Sequence, residues 1–286
     1  MRRNGMLIAS ALRCTIMLGM VSTMSLGAAT LGAQPATKPP VPPVGAAAPA
    51  SAGATVSQYI ARGDRENAAR RPASALAHYK SALALDARSY DALWRASREA
   101  VDLAEFEKDA GRRTRLNTEA TDYANRAVAV NPGDAEGHFA LSRALGRTAL
   151  AAGVRDRVKY AKDIRTHALR ALELQARHPG ALHVMGVWNA EVMRLNGIAR
   201  TVARTFLGGD VFGSASWAEA TRYMELSVAA EPDRLVHQLD LARVYRDTRR
   251  TADARTAFQA ALRAPLFDAN DEIYRRAAEQ ELRALK

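Results

Sequence analysis

The chain has 286 residues, of which 48% are apolar, and this is enough apolar material to form a buried core. Its formal net charge is +11, but no block of lysine and arginine with interleaved aromatic residues occurs, so the sequence does not favour nucleic-acid binding. A solvated arginine surface is the favoured explanation of the basic excess, with a patch for nucleic acid or membrane as the alternative. The single cysteine, Cys14, lies near the N-terminus, and the rest of the chain therefore excludes disulfides, thiolate catalysis and cysteine metal sites.

Residues 1–33 have the pattern of a secretory signal peptide. Arg2 and Arg3 give a charged start, residues 15–26 form an apolar run, and small residues follow as a cleavage site. The run is short and contains Ser, Thr and Gly, so an uncleaved membrane anchor is the less favoured alternative. We expect an exported protein, periplasmic or secreted, that is cleaved after Ala33.

Residues 34–54 predict a disordered linker. The segment is rich in Pro, Ala and Gly, has one charged residue and has no aromatic residue. Such a composition does not bury enough apolar surface to fold, and it is typical of an extended tether. The folded domain is therefore expected at residues 55–286.

From residue 55 onward, helical segments recur with a common pattern of small residues. An alanine is followed by an apolar residue, then by a second small residue one turn later, and a proline usually comes shortly after. The sets are Ala75/Tyr79/Ala82, Ala120/Ala124/Ala127, Ala168/Ala171, Ala220/Met224/Ser227 and Ala254/Phe258/Ala261. Small residues permit close helix contact, and proline ends a helix. The pattern resembles the tetratricopeptide repeat, which implies an all-α superhelix (α-solenoid) of about five helical hairpins.

The spacing of the repeats locates three insertions. Ala220 and Ala254 keep a separation of 34 residues, whereas the earlier intervals are longer by about 11, 10 and 22 residues. These extra residues fall between the two helices of hairpins two, three and four, which leaves the junctions between hairpins unchanged. The first two insertions are expected to lengthen the helices. The apolar positions of residues 270–285 predict a C-terminal capping helix.

The third insertion, residues 195–215, predicts a short basic amphipathic helix followed by a turn. Apolar residues recur there at helical spacing, and we expect them to pack on the hairpin that they interrupt, with binding to a membrane as the alternative. They are Ile198, Val202 and Phe206. A glycine pair then breaks the helix, and Ser216 with Glu219 predicts a capping box at the start of the next helix.

The sequence around this insertion resembles a narrower family. Residues 185–188 read Met-Gly-Val-Trp, an Ile-Ala segment with a Phe and a Gly follows from Ile198, and Trp217 opens the next helix as Trp-Ala-Glu-Ala. These features resemble the regulator of microtubule dynamics family over roughly residues 89–286. The resemblance implies a tetratricopeptide domain that binds a partner and, for some relatives, a phospholipid. A secretory leader separates the chain from microtubules, so the resemblance does not transfer that function.

The residue types that act in catalysis or bind metals do not cluster in the sequence. Six histidines show no metal-ligand spacing and no neighbouring carboxylate pair on a helix face, so we expect them at the surface or in packing. They are His78, His138, His167, His178, His183 and His237. The glycine-rich residues 208–213 lack the lysine and the preceding strand of a phosphate loop. We therefore expect no enzyme activity, no metal site and no cofactor.

The concave groove is the candidate binding site, because the first helix of each repeat lines it in tetratricopeptide proteins. The repeat frame places an apolar row beside arginines in this groove. The predicted binding residues are Trp94, Arg98, Phe139, Arg143, His183, Leu239 and Arg243. Guanidinium groups pair with carboxylate or phosphate, so the rows suit a ligand with an apolar body and an anionic group. We expect a protein or acidic peptide partner, with an anionic phospholipid as the alternative. The remaining interpretation is a solvated row of arginines that pair with their own Asp or Glu residues.

Overall fold

The computed structural model describes residues 53–151, 154–195 and 212–285. Within these ranges the chain forms eleven α-helices and no strand. All of them belong to one unit, residues 43–286. The signal-peptide prediction, most of the linker prediction and the predicted insert helix with Ile198, Val202 and Phe206 lie outside the described residues.

The helices form five antiparallel hairpins and a last, single helix. Each helix packs on its hairpin partner, and each first helix also packs on the first helix of the next hairpin. This arrangement confirms the predicted α-solenoid. The hairpins are α1 Val56–Ala68 with α2 Pro72–Leu85, α3 Tyr90–Glu105 with α4 Ala110–Val130, α5 Ala135–Ala151 with α6 Val154–Leu174, α7 Pro179–Arg194 with α8 Trp217–Ala230, and α9 Leu235–Asp247 with α10 Thr251–Arg263, and the last helix is α11 Asp271–Ala284.

Small residues set the distance between the two helices of a hairpin. Gly63 in α1 faces the ring of Tyr79 in α2 so closely that a Cβ at Gly63 would overlap the ring. At the same position of the fourth hairpin, a Cβ at Gly186 would lie 2.7 Å from Cγ of Met224. The positions of the small-residue pattern are buried in all five hairpins, as the sequence predicts: Ala75, Tyr79, Ala82, Ala120, Ala124, Ala127, Ala168, Ala171, Ala220, Met224, Ser227, Ala254, Phe258 and Ala261.

The insertions in hairpins two and three lengthen the helices, as predicted. The second helices of these hairpins, α4 and α6, contain 21 residues each, whereas α2 contains 14 and α10 contains 13. None of the described helices is long and apolar enough to cross a membrane.

The start of α8 corrects one detail of the sequence analysis. The Ser216 side chain accepts a hydrogen bond from the backbone N–H of Glu219 at 3.0 Å, which is one half of the predicted capping box. The other half is wrong, because the N–H of Ser216 donates to Oδ1 of Asn189 at 3.3 Å. The Glu219 carboxylate instead pairs with Arg222. A complete capping box does form at α1, between Thr55 and Gln58.

The capping helix α11 does more than cover the end of the stack. It packs on α9 and α10, with Ala278 fully buried, as predicted for a cap. It also reaches hairpin two: Nδ2 of Asn270, which precedes α11, donates to the backbone oxygen of Asp102 in α3 at 3.0 Å. The rings of Phe106 and Tyr274 meet edge to face at a centroid distance of 5.5 Å. The last helix therefore closes the concave side of the superhelix.

Two glycines with opposite surroundings test how tightly the hairpins pack. Nothing lies within 4 Å of a Cβ added at Gly146 in α5, so Gly146→Ala is expected to raise the free energy of unfolding by about 0.5–1 kcal/mol through the lower entropy of the unfolded chain.

Gly63→Ala is expected to lower the free energy of unfolding by about 1–3 kcal/mol, because the methyl group collides with Tyr79. Chemical denaturation measures both changes. A neutral Gly63→Ala variant would show that the first hairpin is more loosely packed than described.

Candidate functional site

The concave side of the superhelix encloses a groove of about 920 Å³. This volume lies within the range of about 300–1,000 Å³ that is usual for ligand sites. Its walls come mainly from the first helices α3, α5, α7 and α9, with residues of α6 and α8 and Phe212 between them, and α11 closes it from the far side. Residues far apart in sequence therefore share one site.

Six of the seven predicted binding residues line this groove: Trp94, Arg98, Phe139, Arg143, His183 and Arg243. Leu239 does not, and its prediction is wrong. Leu239 is completely buried in the core that also contains Met224 and Phe258. One residue turns an α-helix by about 100°, and the groove face of α9 is instead formed by Val236 and Asp240.

One end of the groove is apolar. The Trp188 side chain is buried there, and its indole N–H donates to the backbone oxygen of Ala161 at 2.8 Å. The ring of Phe212 stacks on Trp188 with 6.3 Å between centroids. Ile164 and Val184 continue this surface. Phe212 lies near the end of the insertion between α7 and α8, outside the repeat frame that predicts the other groove residues.

Among the residues that the structure describes, the charges of the groove are balanced. Seven arginines and seven carboxylates of these ranges line it: Arg98, Arg143, Arg147, Arg194, Arg234, Arg243 and Arg246, with Asp102, Glu136, Glu191, Glu231, Asp240, Asp268 and Glu281. Each of these arginines makes an ion pair within the chain.

The ion pairs decide between two interpretations of the arginine row. Arg143 meets Asp102 at 2.5 Å, and Arg243 meets Glu281 at 2.6 Å and Asp240 at 2.8 Å. The groove arginines are therefore paired with the chain's own carboxylates, as one interpretation expected, but the side chains of Arg143 and Arg243 are only about a quarter exposed rather than solvated, and ligand binding by them stays a prediction. Most of these partners come from other helices, so helical spacing could not reveal them.

Histidines meet in pairs, which the sequence analysis did not predict. Nε2 of His183 lies 2.9 Å from Oδ2 of Asp240, and the His183 ring stacks on that of His237 at 4.7 Å. A second pair, His138 and His167, brings two Nδ1 atoms to 2.9 Å. In the part of the chain that the structure describes, no group of three or more His, Cys, Asp or Glu residues is arranged to hold a metal ion.

Burial changes the protonation of this cluster. It lowers the pKa of His237 well below its usual value, and the nearby His183 and Arg234 lower it further. Burial alone would raise the pKa of Asp240, but the hydrogen bond and charge of His183 and the charge of Arg243 outweigh it and lower that pKa. Asp240 thus remains ionised, and it holds His183 and Arg243 on the groove wall.

Glu99 lies behind the groove wall and is completely buried. Its Oε1 accepts hydrogen bonds from Arg98 at 2.7 Å and from Asn67 at 3.0 Å. Burial nevertheless raises the pKa of Glu99 to about 7, because these two partners only partly offset the loss of solvent.

The pKa of Glu99 predicts how stability depends on pH. The folded state holds the Glu99 proton more tightly than the unfolded state, so stability falls as the pH rises from 4.5 to about 7. Glu99→Gln removes this titration. We compare the free energy of unfolding of the parent with that of Glu99→Gln by denaturation at a series of pH values. The parent is expected to lose as much as about 3 kcal/mol relative to the variant as the pH rises through that window.

Glu66→Gln is the control for this pH series. The hydrogen bond and charge of Arg71 lower the pKa of Glu66, so Glu66 is ionised throughout the window. The unfolded state releases its Glu66 proton near pH 4.5, so the difference between the parent and Glu66→Gln should rise slightly at the start of the window and then stay constant. A difference between the parent and Glu99→Gln that does not fall across the window would contradict the raised pKa of Glu99.

Comparison with known proteins agrees with this architecture. The structure of a thermophilic tetratricopeptide (TPR) protein from Thermus thermophilus superimposes with a TM-score of 0.58 at 18% identity, and it covers 79% of this chain and 100% of that protein. At this identity the likeness shows the fold alone.

Curated relatives point to one family. Regulator of microtubule dynamics protein 1 of Mus musculus is 25% identical over 142 residues, which are 49% of this chain and 46% of that protein. The Bos taurus protein is 24% identical over 142 residues and is covered to 44%. The chain thus matches less than half of the length of these relatives. The sequence model of regulator of microtubule dynamics protein 1-3 matches residues 55–286, the whole helical domain. The chain belongs to this family.

Proposed function

We propose that this protein is an exported, non-catalytic scaffold that binds a peptide segment of a partner protein in the closed groove. The observation that carries the proposal is the groove itself, which four hairpins and α11 build around one volume of about 920 Å³. An apolar end and a charge-balanced wall suit a segment with apolar side chains and polar main-chain groups.

The wall between Trp94 and Phe139 is the best place for a polar group of this segment. Arg143 lies there, and its side chain is about a quarter exposed. A guanidinium has five N–H donors, and Arg143 uses one of its nitrogens, Nη2, to bind Asp102. The remaining donors suit a peptide carbonyl or the carboxylate of an acidic residue. A peptide carbonyl is therefore the group that we propose for this end, with the carboxylate of an acidic peptide as an alternative that must compete with Asp102.

A lipid is the second candidate, and the apolar end of the groove favours it. Trp188, Phe212, Ile164 and Val184 form a surface on which an acyl chain can lie. The paired arginines argue against a strongly anionic headgroup, because such a group must compete with carboxylates that are already bound. We therefore place the lipid second.

The histidine arrangement supports a non-catalytic role. A histidine that activates a nucleophile must lie within hydrogen-bond reach of a hydroxyl or thiol group. In the described ranges, His183 bonds to Asp240, and His138 bonds to His167 and to the backbone oxygen of Pro132. These contacts serve packing and orientation.

Filling the groove tests the proposal without removing an ion pair. Gly146 lines the groove and has open space at its Cβ, so Gly146→Trp places an indole where the ligand would lie. A photoreactive amino acid at Val187, another groove residue, is expected to cross-link a partner protein in cells. Gly146→Trp should abolish this cross-link, and Gly146→Ala, the matched control, should retain it.

Two results would overturn the peptide proposal. A cross-link that persists in Gly146→Trp would place the partner elsewhere. The second result combines two measurements. Native mass spectrometry finds a lipid bound to Gly146→Ala but not to Gly146→Trp, and no protein is cross-linked from Val187. This result would assign the groove to the lipid.

Export is a separate proposal that rests on residues 1–33. The charged start, the apolar run and the small residues before residue 34 support it. N-terminal sequencing of the protein from the periplasm or the medium is expected to begin at Gln34. An intact Met1 form recovered from the cytoplasm would contradict export, and an intact form in the membrane fraction would support the uncleaved anchor.

A further inference from the structure

The capping helix and hairpin two meet along a seam of polar side chains. Nδ2 of Asn270 donates to the backbone oxygen of Asp102, 168 residues earlier in the chain. The hydroxyl of Tyr274 donates to Glu105 and accepts a hydrogen bond from Arg147 at 3.0 Å. Arg147 also binds Glu105 at 2.5 Å.

The seam differs from the junctions between neighbouring hairpins. One apolar cluster joins residues of α1 to α5, and another joins residues of α7 to α11. Neither of these clusters contains residues of both α3 and α11, so the seam depends on the hydrogen bonds of Asn270 and Tyr274 and on the contact between Phe106 and Tyr274. The Arg147–Glu105 ion pair lies on one side of the seam and does not cross it. The net contribution of a hydrogen bond is about 1 kcal/mol, or about 1.5–3 kcal/mol when one partner is charged. The seam can therefore separate while both apolar clusters stay intact.

The geometry of a solenoid makes such a separation easy. Each hairpin contacts its sequence neighbours, so small changes at successive junctions add up to a large displacement between the ends of the stack. The seam lies where α3 and α11, from opposite parts of the stack, meet beside the groove. Asp102, Arg147, Asn270 and Tyr274 line the groove and also form the seam.

We propose that the seam between α3 and α11 is a gate of the groove, which opens to admit a ligand and closes over it. The gate is formed by Asn270 and Tyr274 on one side and by Asp102, Glu105 and Arg147 on the other. It operates whichever ligand the groove holds, because it depends on contacts within the chain itself.

A single cysteine inside the groove tests the gate. The only native thiol is Cys14, so Cys14→Ser gives a full chain without cysteine. Gly146→Cys then places a thiol in the groove, where a Cβ meets no other atom within 4 Å. We expect polyethylene-glycol maleimide to react slowly with this thiol, because the polymer needs an open gate. The small reagent N-ethylmaleimide corrects for intrinsic reactivity.

Asn270→Ala with Tyr274→Phe opens the gate. The double variant removes the bond to Asp102 and the bonds of the Tyr274 hydroxyl, but it keeps the ring and the packing of α11. The polymer reagent is expected to label Gly146→Cys about tenfold faster or more, which corresponds to about 1.4 kcal/mol in the opening equilibrium. A thermal unfolding transition at a similar temperature shows that the seam opened without global unfolding. Asn270→Ala alone provides a milder variant if the pair unfolds.

A matched pair of substitutions serves as the control. The Asn131 side chain accepts a hydrogen bond from the N–H of Gly133, and the Tyr245 hydroxyl donates one to Glu225. Neither of these hydrogen bonds lies at the seam. Asn131→Ala with Tyr245→Phe should leave the labelling of Gly146→Cys unchanged. Two outcomes would overturn the gate: fast polymer labelling of Gly146→Cys with the seam intact, or labelling that Asn270→Ala and Tyr274→Phe do not accelerate.

Discussion

The close approach of paired helices at small residues is the constraint on which the rest of the structure depends. Gly63 lies against Tyr79 and Gly186 lies against Met224, and neither position has room for a Cβ. The second helices carry buried small residues beside these partners, such as Ala75 and Ala82 on either side of Tyr79. Narrow hairpins of this kind stack as a curved superhelix. That curvature brings α11 to α3 and turns an open concave face into a groove.

Closing the groove has an electrostatic consequence. Arginines and carboxylates that face solvent in an open solenoid become half-buried in a closed one, and isolated buried charges are unfavourable. Every groove arginine in the described ranges is paired with a carboxylate, which offsets this cost. Glu99, which is completely buried behind Arg98, is incompletely compensated, and its pKa rises to about 7. The same pairing leaves the groove without excess charge for a ligand.

Some features followed from residue patterns because they are local. The small-residue sets predicted the buried face of the second helices, and the insertions predicted the long α4 and α6. The repeat frame also placed Trp94, Phe139 and Arg143 on the groove wall. It failed at Leu239, where an offset of one residue moves a side chain from the groove into the core. It failed in part at Ser216, because a tertiary partner, Asn189, replaced the expected local bond.

The sequence by itself determined the all-α repeat architecture, since helix periodicity, small residues and proline act within a few turns of one another. Only the tertiary structure decided which charges pair, that four histidines meet in two pairs, and that Tyr274 closes the groove against Glu105. These contacts join residues that are far apart in sequence, up to 169 positions in the case of Tyr274 and Glu105. Their formation depends on the summed rotation of the stacked hairpins, which no single repeat encodes.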